Sequence, residues 1–382
     1  MKPSDKNKRK LVLTNRQLKF LPELINFTNL LTLNCSNNNL TFLPALPINL
    51  TILECKYNKL TELPALPKSL QTLMCGYNDL ISLPALPENL QTLYCVSNLL
   101  LNLPILPEKL LTLDCEMNRL TSLPALPIGL VTLSCGMNYL ISLPVLPEKL
   151  QTLCCASNRL EFLPDLPENL QKLVCHHNYM NFLPSLPVNL KFFSCTDNQL
   201  KFLPTLPENL KYLECCQNSL TCLPSLPESL RDLDCSENSL TCLPPLPESL
   251  KDLNCAENQL ISLPTLPESL AKLNCGDNYL TYLPCLPNNL IRLQFFDTPI
   301  FELIDSNDII IIKKKLQILN KFRDRFYALK FKRPLRKLLW EKVRGPTLEK
   351  TYHPKNLEDL LKDVEDDDED TFHKIIDKWI GN

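Results

Sequence analysis

Leu110-Leu111-Thr112-Leu113-Asp114-Cys115-Glu116-Met117-Asn118-Arg119-Leu120-Thr121-Ser122-Leu123-Pro124-Ala125-Leu126-Pro127-Ile128-Gly129 is one period of a pattern that fills most of the chain. Written once, the unit is L-x-x-L-x-C-x-x-N-x-L-x-x-L-P-x-L-P-x-x. Its first leucine recurs every twentieth residue from Leu30 to Leu290, and its cysteine from Cys35 to Cys275. Its asparagine runs from Asn38 to Asn278 and its paired prolines from Pro44/Pro47 to Pro284/Pro287. Departures such as Phe193 and Met180 stay apolar. A fixed period of this length marks a solenoid, in which each unit buries its apolar side only against its neighbours.

Each position has a physical task. The alternation Leu33-x-Cys35 reads as a short strand whose two apolar residues share one side, because strand side chains have period two. The asparagine three residues on is expected to donate to and accept from backbone groups of adjacent turns that would otherwise be buried unpaired. The L-P-x-L-P segment cannot be helical, since proline lacks the donor and clashes with the preceding turn. It should return along the convex side as extended, polyproline-like chain. The expected fold is an α/β-class leucine-rich-repeat solenoid with a curved parallel sheet on its concave side and a small C-terminal α-helical region. Leu11, Leu13, Leu18 and Leu21-Pro22 fit an irregular first turn, in which Arg16 takes the asparagine's place. Leu293-Gln294-Phe295-Phe296 is a last strand without cysteine, and Thr298-Pro299 ends the period. The chain so divides into a basic N-terminal tail (1–10), a solenoid of one irregular turn and thirteen 20-residue repeats (11–298), and a helical C-terminal region (299–382).

On these motifs the unit resembles the bacterial-effector class of leucine-rich repeats, the YopM and IpaH type, over residues 11–298. Cysteine here stands where valine or leucine is usual in that class. The resemblance implies a ribbon with a parallel sheet on its concave side and a role in protein–protein recognition. IpaH-type relatives also carry a ubiquitin-ligase domain with a cysteine nucleophile. No cysteine follows Cys285, so thioester chemistry in the tail is not expected and the chain is read as non-enzymatic.

The chain has 382 residues, 45% of them hydrophobic, and a formal charge of −2, which gives no bias toward nucleic acid or membrane as a whole. The basic start Lys2 to Lys10 is not followed by the apolar run of a signal peptide. No stretch approaches the ~20 apolar residues of a membrane span. A cytoplasmic monomer is expected. Thirteen of the eighteen cysteines fall on the repeat, and in a chain without secretion signal they read as small buried hydrophobes. Of the other five, Cys154 and Cys216 should point outward from the sheet. Cys222 and Cys242 should stack one turn apart, and Cys285 stands alone. Zinc would need clustered ligands such as C-x-x-C, which do not occur; no metal and no cofactor is expected.

The positions equivalent to 32, 34, 36, 37 and 39 should form the concave surface. Its middle is apolar: Met74, Tyr77, Tyr94, Val96, Leu99, Met117, Met137, Tyr139, Val174, Tyr179, Phe192 and Tyr212. Its C-terminal third is acidic: Asp232, Asp234, Glu237, Asp252, Glu257 and Asp277. Tyrosine and methionine favour interfaces, and a contiguous apolar patch marks one, so this surface is expected to bind a protein partner. The alternative is a merely solvated sheet. Cys154, His176 or His177, and Asp197 fall on consecutive turns of the same surface. A thiol nucleophile there would also need a pocket and oxyanion donors, so a polar cluster is the expected reading.

After Pro299 the period becomes helical. Residues 309–332 have helical spacing, with apolar Ile310, Leu316, Leu319, Phe322, Phe326 and Leu329, and further helices are expected over 335–343, 356–362 and 371–380. Residues 313–344 hold thirteen Lys and Arg against Asp324 and Glu341, whereas 358–370 hold nine Asp and Glu against Lys362. A helical cap with its own acidic screen is one reading. A structural or nucleic-acid-associated role for the basic helix is the other. The run Leu339-Trp340-Glu341-Lys342-Val343-Arg344, with Pro346, Tyr352-His353-Pro354 and Leu357, resembles a tail motif of mimivirus-type giant-virus proteins. That resemblance implies a viral protein and a host partner.

Overall fold

The computed structural model describes residues 8–304, 306 and 308–331. Two compact units, Met1–Asn238 and Ser239–Asn382, are taken in turn. Unit 1 opens with β1 (Lys10–Val12), and a three-residue strand then recurs every twenty residues from β2 (Thr32–Asn34) to β12 (Asp232–Asp234). Each strand pairs in parallel with the next in register, as Leu93 with Leu113 and Leu113 with Leu133. In unit 2, β13 (Asp252–Asn254), β14 (Lys272–Asn274) and β15 (Arg292–Gln294) repeat the pattern. These are stacked turns of a parallel-sheet solenoid. The expected offset of the first turn is met, with Leu11 paired to Leu33.

The core is the same at every turn. Leu110, Leu113, Cys115 and Leu120 have no exposed surface, and their equivalents repeat this along the chain. The return segments contain no helix. Each ends in a tight turn in which the proline carbonyl accepts the leucine N–H three residues on, as Pro107 O from Leu110 N at 3.0 Å. Proline removes a donor from the return chain just where no partner strand exists to accept it.

The asparagine performs the expected task. In Asn98, Nδ2 donates to the carbonyls of Cys75 (3.2 Å), Cys95 (3.0 Å) and Val96 (3.4 Å), and Oδ1 accepts the Leu80 N–H at 3.0 Å. One side chain thereby ties two turns, and Asn118, Asn138 and Asn158 repeat the set. A second rung lies on the return side. Asn89 Nδ2 donates to Lys68 O at 3.0 Å, and Ser69 Oγ reaches both Ile48 O and Leu50 O at 2.7 Å.

Unit 2 closes its own end. Phe295 fills the place of the cysteine and is buried. Phe301, in the short helix α1 (Pro299–Ile304), packs edge-on against Phe295 and Phe296. The sequence reading passed over this helix, because six residues are too few to show a period. The helix α2 (Ile309–Phe331) is capped by Asp308, whose carboxylate accepts the Ile310 N–H at 2.7 Å. Of the expected apolar positions, Leu316 is buried and Leu319 and Phe322 are half-buried, whereas Ile310 is exposed; Ile312 and Asn320 are buried beside Leu316. Asn320 Nδ2 donates to Leu283 O at 3.1 Å and so ties this face of the helix to the turn of Leu283. The helices expected over 335–343, 356–362 and 371–380, the acidic run and the tail motif lie outside the described residues.

Candidate functional site

Strand residues that flank the buried leucine share one surface, here called the strand face. In unit 1 it carries Thr112 and Asp114 on one strand and Thr92 and Tyr94 on its neighbour, all half-buried by one another. Met74, Leu99, Val174 and Phe192 are half-buried in the same way, whereas Tyr212 is exposed. Side chains one turn apart meet: Phe192 and Tyr212 lie 6.0 Å apart between centroids, and Lys172 sits over the Phe192 ring at 5.2 Å.

The row expected at 36 and its equivalents is open only in part. Gly76, Gly136 and Ala156 are buried there, whereas Lys56, Val96, Glu116 and His176 are half-buried like the strand residues beside them. The cause is a backbone approach: Tyr77 N donates to Val96 O at 2.7 Å and draws the two turns together. A Cβ on Gly76 would lie 2.8 Å from Val96 Cγ1 and 2.9 Å from its carbonyl oxygen.

The next row stands out most. Every twentieth residue from Asn37 to Asp297 has left-handed backbone, and none of them is glycine. Tyr77 has φ 57°, Met117 and Met137 both 53°, and His177 52°. A side chain there costs roughly 1–2 kcal/mol. The conformation lifts these residues out of the sheet: Tyr57, Tyr77, Met117 and Met137 are exposed, Met137 by 54%. Tyr57 and Tyr77 stack at 4.3 Å, which holds the Tyr77 hydroxyl proton more tightly through the neighbouring hydroxyl. Beside them Tyr139 is exposed under the Arg159 guanidinium at 4.9 Å, and Tyr179 is exposed as well. The sequence named most of these residues but not the backbone that presents them.

Two carboxylates sit among these groups. Asp114 is pushed above the usual carboxylate range by burial, and Glu116 by burial and by Asp114, against a lowering from Lys172. The acidic residues of unit 1 are partly engaged: Asp234 Oδ1 accepts from Ser236 Oγ at 2.6 Å, and Glu237 accepts from Gln217 at 2.9 Å. In unit 2, Asp252 is paired with Lys272 at 2.7 Å, while Glu257 and Asp277 are exposed. Asp232 and Asp234 are half-buried.

The thiol–imidazole–carboxylate arrangement does not assemble. His177 Nδ1 bonds Asp197, and His176 packs edge-on against His177 at 4.9 Å. Burial and His177 lower the pKa of His176, and burial raises that of Cys154, opposite to what a nucleophile needs. Among the described residues, no three His, Cys, Asp or Glu side chains come together as metal ligands. The thirteen repeat cysteines are buried, Cys154 and Cys216, expected to point outward, are half-buried, and Cys222, Cys242 and Cys285 are exposed. Burial pushes the Cys75 thiol up to about 12. The buried thiols also act as weak donors, Cys115 Sγ to Ser134 O at 3.4 Å.

The basic segment is in part turned back onto unit 2. Lys313 Nζ donates to Asn288 O at 3.2 Å, Lys315 Nζ to Ile304 O at 3.0 Å, and Arg323 covers the Tyr282 ring at 4.1 Å. No helix among the described residues is long and apolar enough to cross a membrane.

No protein-family model matches the chain, and no curated protein sequence does. Solved structures match strongly. YopM of Yersinia pestis, a leucine-rich effector protein, is 36% identical over 77% of this chain and 85% of its own, with a TM-score of 0.72. This chain belongs to the YopM family of leucine-rich-repeat proteins. YopM from Yersinia enterocolitica WA-314 is 35% identical over 76% of this chain and 74% of its own, at a TM-score of 0.64. A leucine-rich-repeat protein of Leptospira interrogans is 26% identical over 78% of this chain and 92% of its own, at a TM-score of 0.60. Leucine-rich repeats typically present an extended surface for protein–protein contact, and the residues on the strand face of unit 1 vary from turn to turn.

Proposed function

We propose that the strand face of unit 1 recognises a protein partner and that the chain acts as a non-enzymatic binding scaffold. The observation that carries this is the exposed row of Tyr57, Tyr77, Met117 and Met137 on left-handed backbone. Glycine would remove that strain. Aromatic and thioether side chains there make sense as contacts, because tyrosine and methionine are enriched where proteins meet. The partner presents apolar groups to Tyr77, Tyr94, Met117, Met137, Tyr139 and Tyr179, and basic groups toward Glu214, Asp232 and Glu237. It meets the chain in a reducing compartment, for which eighteen cysteines without a disulfide are suited. The tail's resemblance to giant-virus proteins makes a host protein the first partner to seek.

Affinity purification with wild type and with the triple variant Tyr94→Glu/Phe192→Glu/Tyr212→Glu tests the reading. A partner retained by wild type and lost from a variant with the wild-type circular dichroism supports it; equal retention on both contradicts it. The contacts of Lys313, Lys315 and Arg323 favour a capping role for the basic helix over nucleic-acid binding.

A further inference from the structure

Phe162, Phe182 and Phe202 occupy one position of three successive turns, on the return segment and away from the strand face. They are 46%, 58% and 64% exposed. The same position holds Ser122 and Ser142 in the two turns before them and Cys222 in the turn after. Successive turns lie about 4.8 Å apart, so the three rings form one ridge roughly 10 Å long. Each ring is preceded by a residue of different charge: Glu161, Asn181 and Lys201. Glu161 and Lys201 are exposed, and among the described residues neither side chain makes a hydrogen bond or ion pair.

We propose that this ridge is the contact surface of a weak dimer of two copies of this chain, related by a two-fold axis at Phe182. A two-fold contact brings residue i of one copy against j of the other and j against i. With the two ridges antiparallel about Phe182, Phe162 meets Phe202 and Glu161 meets Lys201, twice. With the ridges parallel, Glu161 would face Glu161 and Lys201 would face Lys201, which is repulsive. The charges therefore select the antiparallel arrangement, in which the Glu and Lys at opposite ends of an apolar row find partners in a second copy. Three rings with two ion pairs bury less than the roughly 1,200 Å² of a standard interface, so the association is weak. This dimer departs from the monomer expected of the sequence, and it leaves the strand face of unit 1 open.

Sedimentation equilibrium of the full chain from about 1 to 200 μM tests the proposal, since weak contacts of this size sit in the micromolar range. Wild type should self-associate. Phe182→Ser and Lys201→Glu should each weaken the dimer by at least about tenfold, with unchanged thermal melts because both side chains are exposed. The double exchange Glu161→Lys/Lys201→Glu should restore it to within about threefold of wild type. A wild type that stays monomeric throughout, a Phe182→Ser variant that dimerises as well, or a double exchange no tighter than Lys201→Glu would each overturn it.

Discussion

Leu113 and Cys115 alternate with Asp114 and Glu116 along one strand and its exit, yet the two pairs obey opposite rules. The first pair recurs at nearly every turn of unit 1 and has no exposed surface. The second changes at each turn: Tyr94 and Val96 before it, Ser134 and Gly136 after it. Inside, each turn's apolar groups and amides must fit the turns on either side, so one answer is repeated. On the strand face fewer contacts within the solenoid constrain the residue, apart from the close approaches at Gly76 and Gly136. The inner set therefore reports stability, and the outer set is left to vary from turn to turn.

The largest break in this comparison comes from pH acting on the thiols of the inner set. Burial raises the thiols of Cys35, Cys75 and Cys275 to about 12, and an unfolded thiol titrates near 9. Below pH 9 both states keep the proton and the contribution is complete. Between pH 9 and 12 only the unfolded chain releases it, so each buried thiol withdraws up to about 1.4 kcal/mol per pH unit. Unfolding free energies from urea titrations should fall steeply above pH 9, by several kcal/mol in total, and Cys75→Ala should shallow that fall. Next comes Asn118→Ala, which strands the Leu100 N–H and three carbonyls and should cost about 3 kcal/mol. Its neighbour Met117→Ala should cost less than about 0.5 kcal/mol in the same denaturation series.

Gly76→Ala tests the seam between inner and outer sets. Its Cβ meets Val96, so we expect a loss of about 1–2 kcal/mol, partly recovered by adding Val96→Ala. The smallest effect on stability is expected from Met137→Gly. Relief of the left-handed strain offsets the entropy of a new glycine to within about 0.5 kcal/mol, while partner binding weakens. Thermal melts and a binding titration on the same samples would show whether the two sets separate.

Much of the fold could be read in the sequence because inner contacts repeat. Leucine and cysteine give period two, asparagine marks the amide rung, and proline excludes helix from the return. The second rung of Asn89 and Ser69 was hidden, since asparagine, serine, lysine and glycine share that position and only some of them donate. The strand face was legible as a set of residues but not as a shape. Left-handed backbone at Tyr77 or Met137 leaves no signature when glycine is absent, and the close approach of Gly76 to Val96 follows from a backbone hydrogen bond between turns. The end of unit 2 departs from the period, and there the apolar spacing found buried Leu316 but did not separate exposed Ile310 from buried Ile312.

Site-specific photo-crosslinking tests most directly the claim that the varied strand face of unit 1 is the recognition surface. A photoactivatable phenylalanine derivative is placed at Met137 on the left-handed row, or at Ile105 on the return segment, which is 89% exposed. The account predicts an adduct with one partner from position 137 and none from position 105. Adducts of equal yield from both, or from 105 alone, would contradict it.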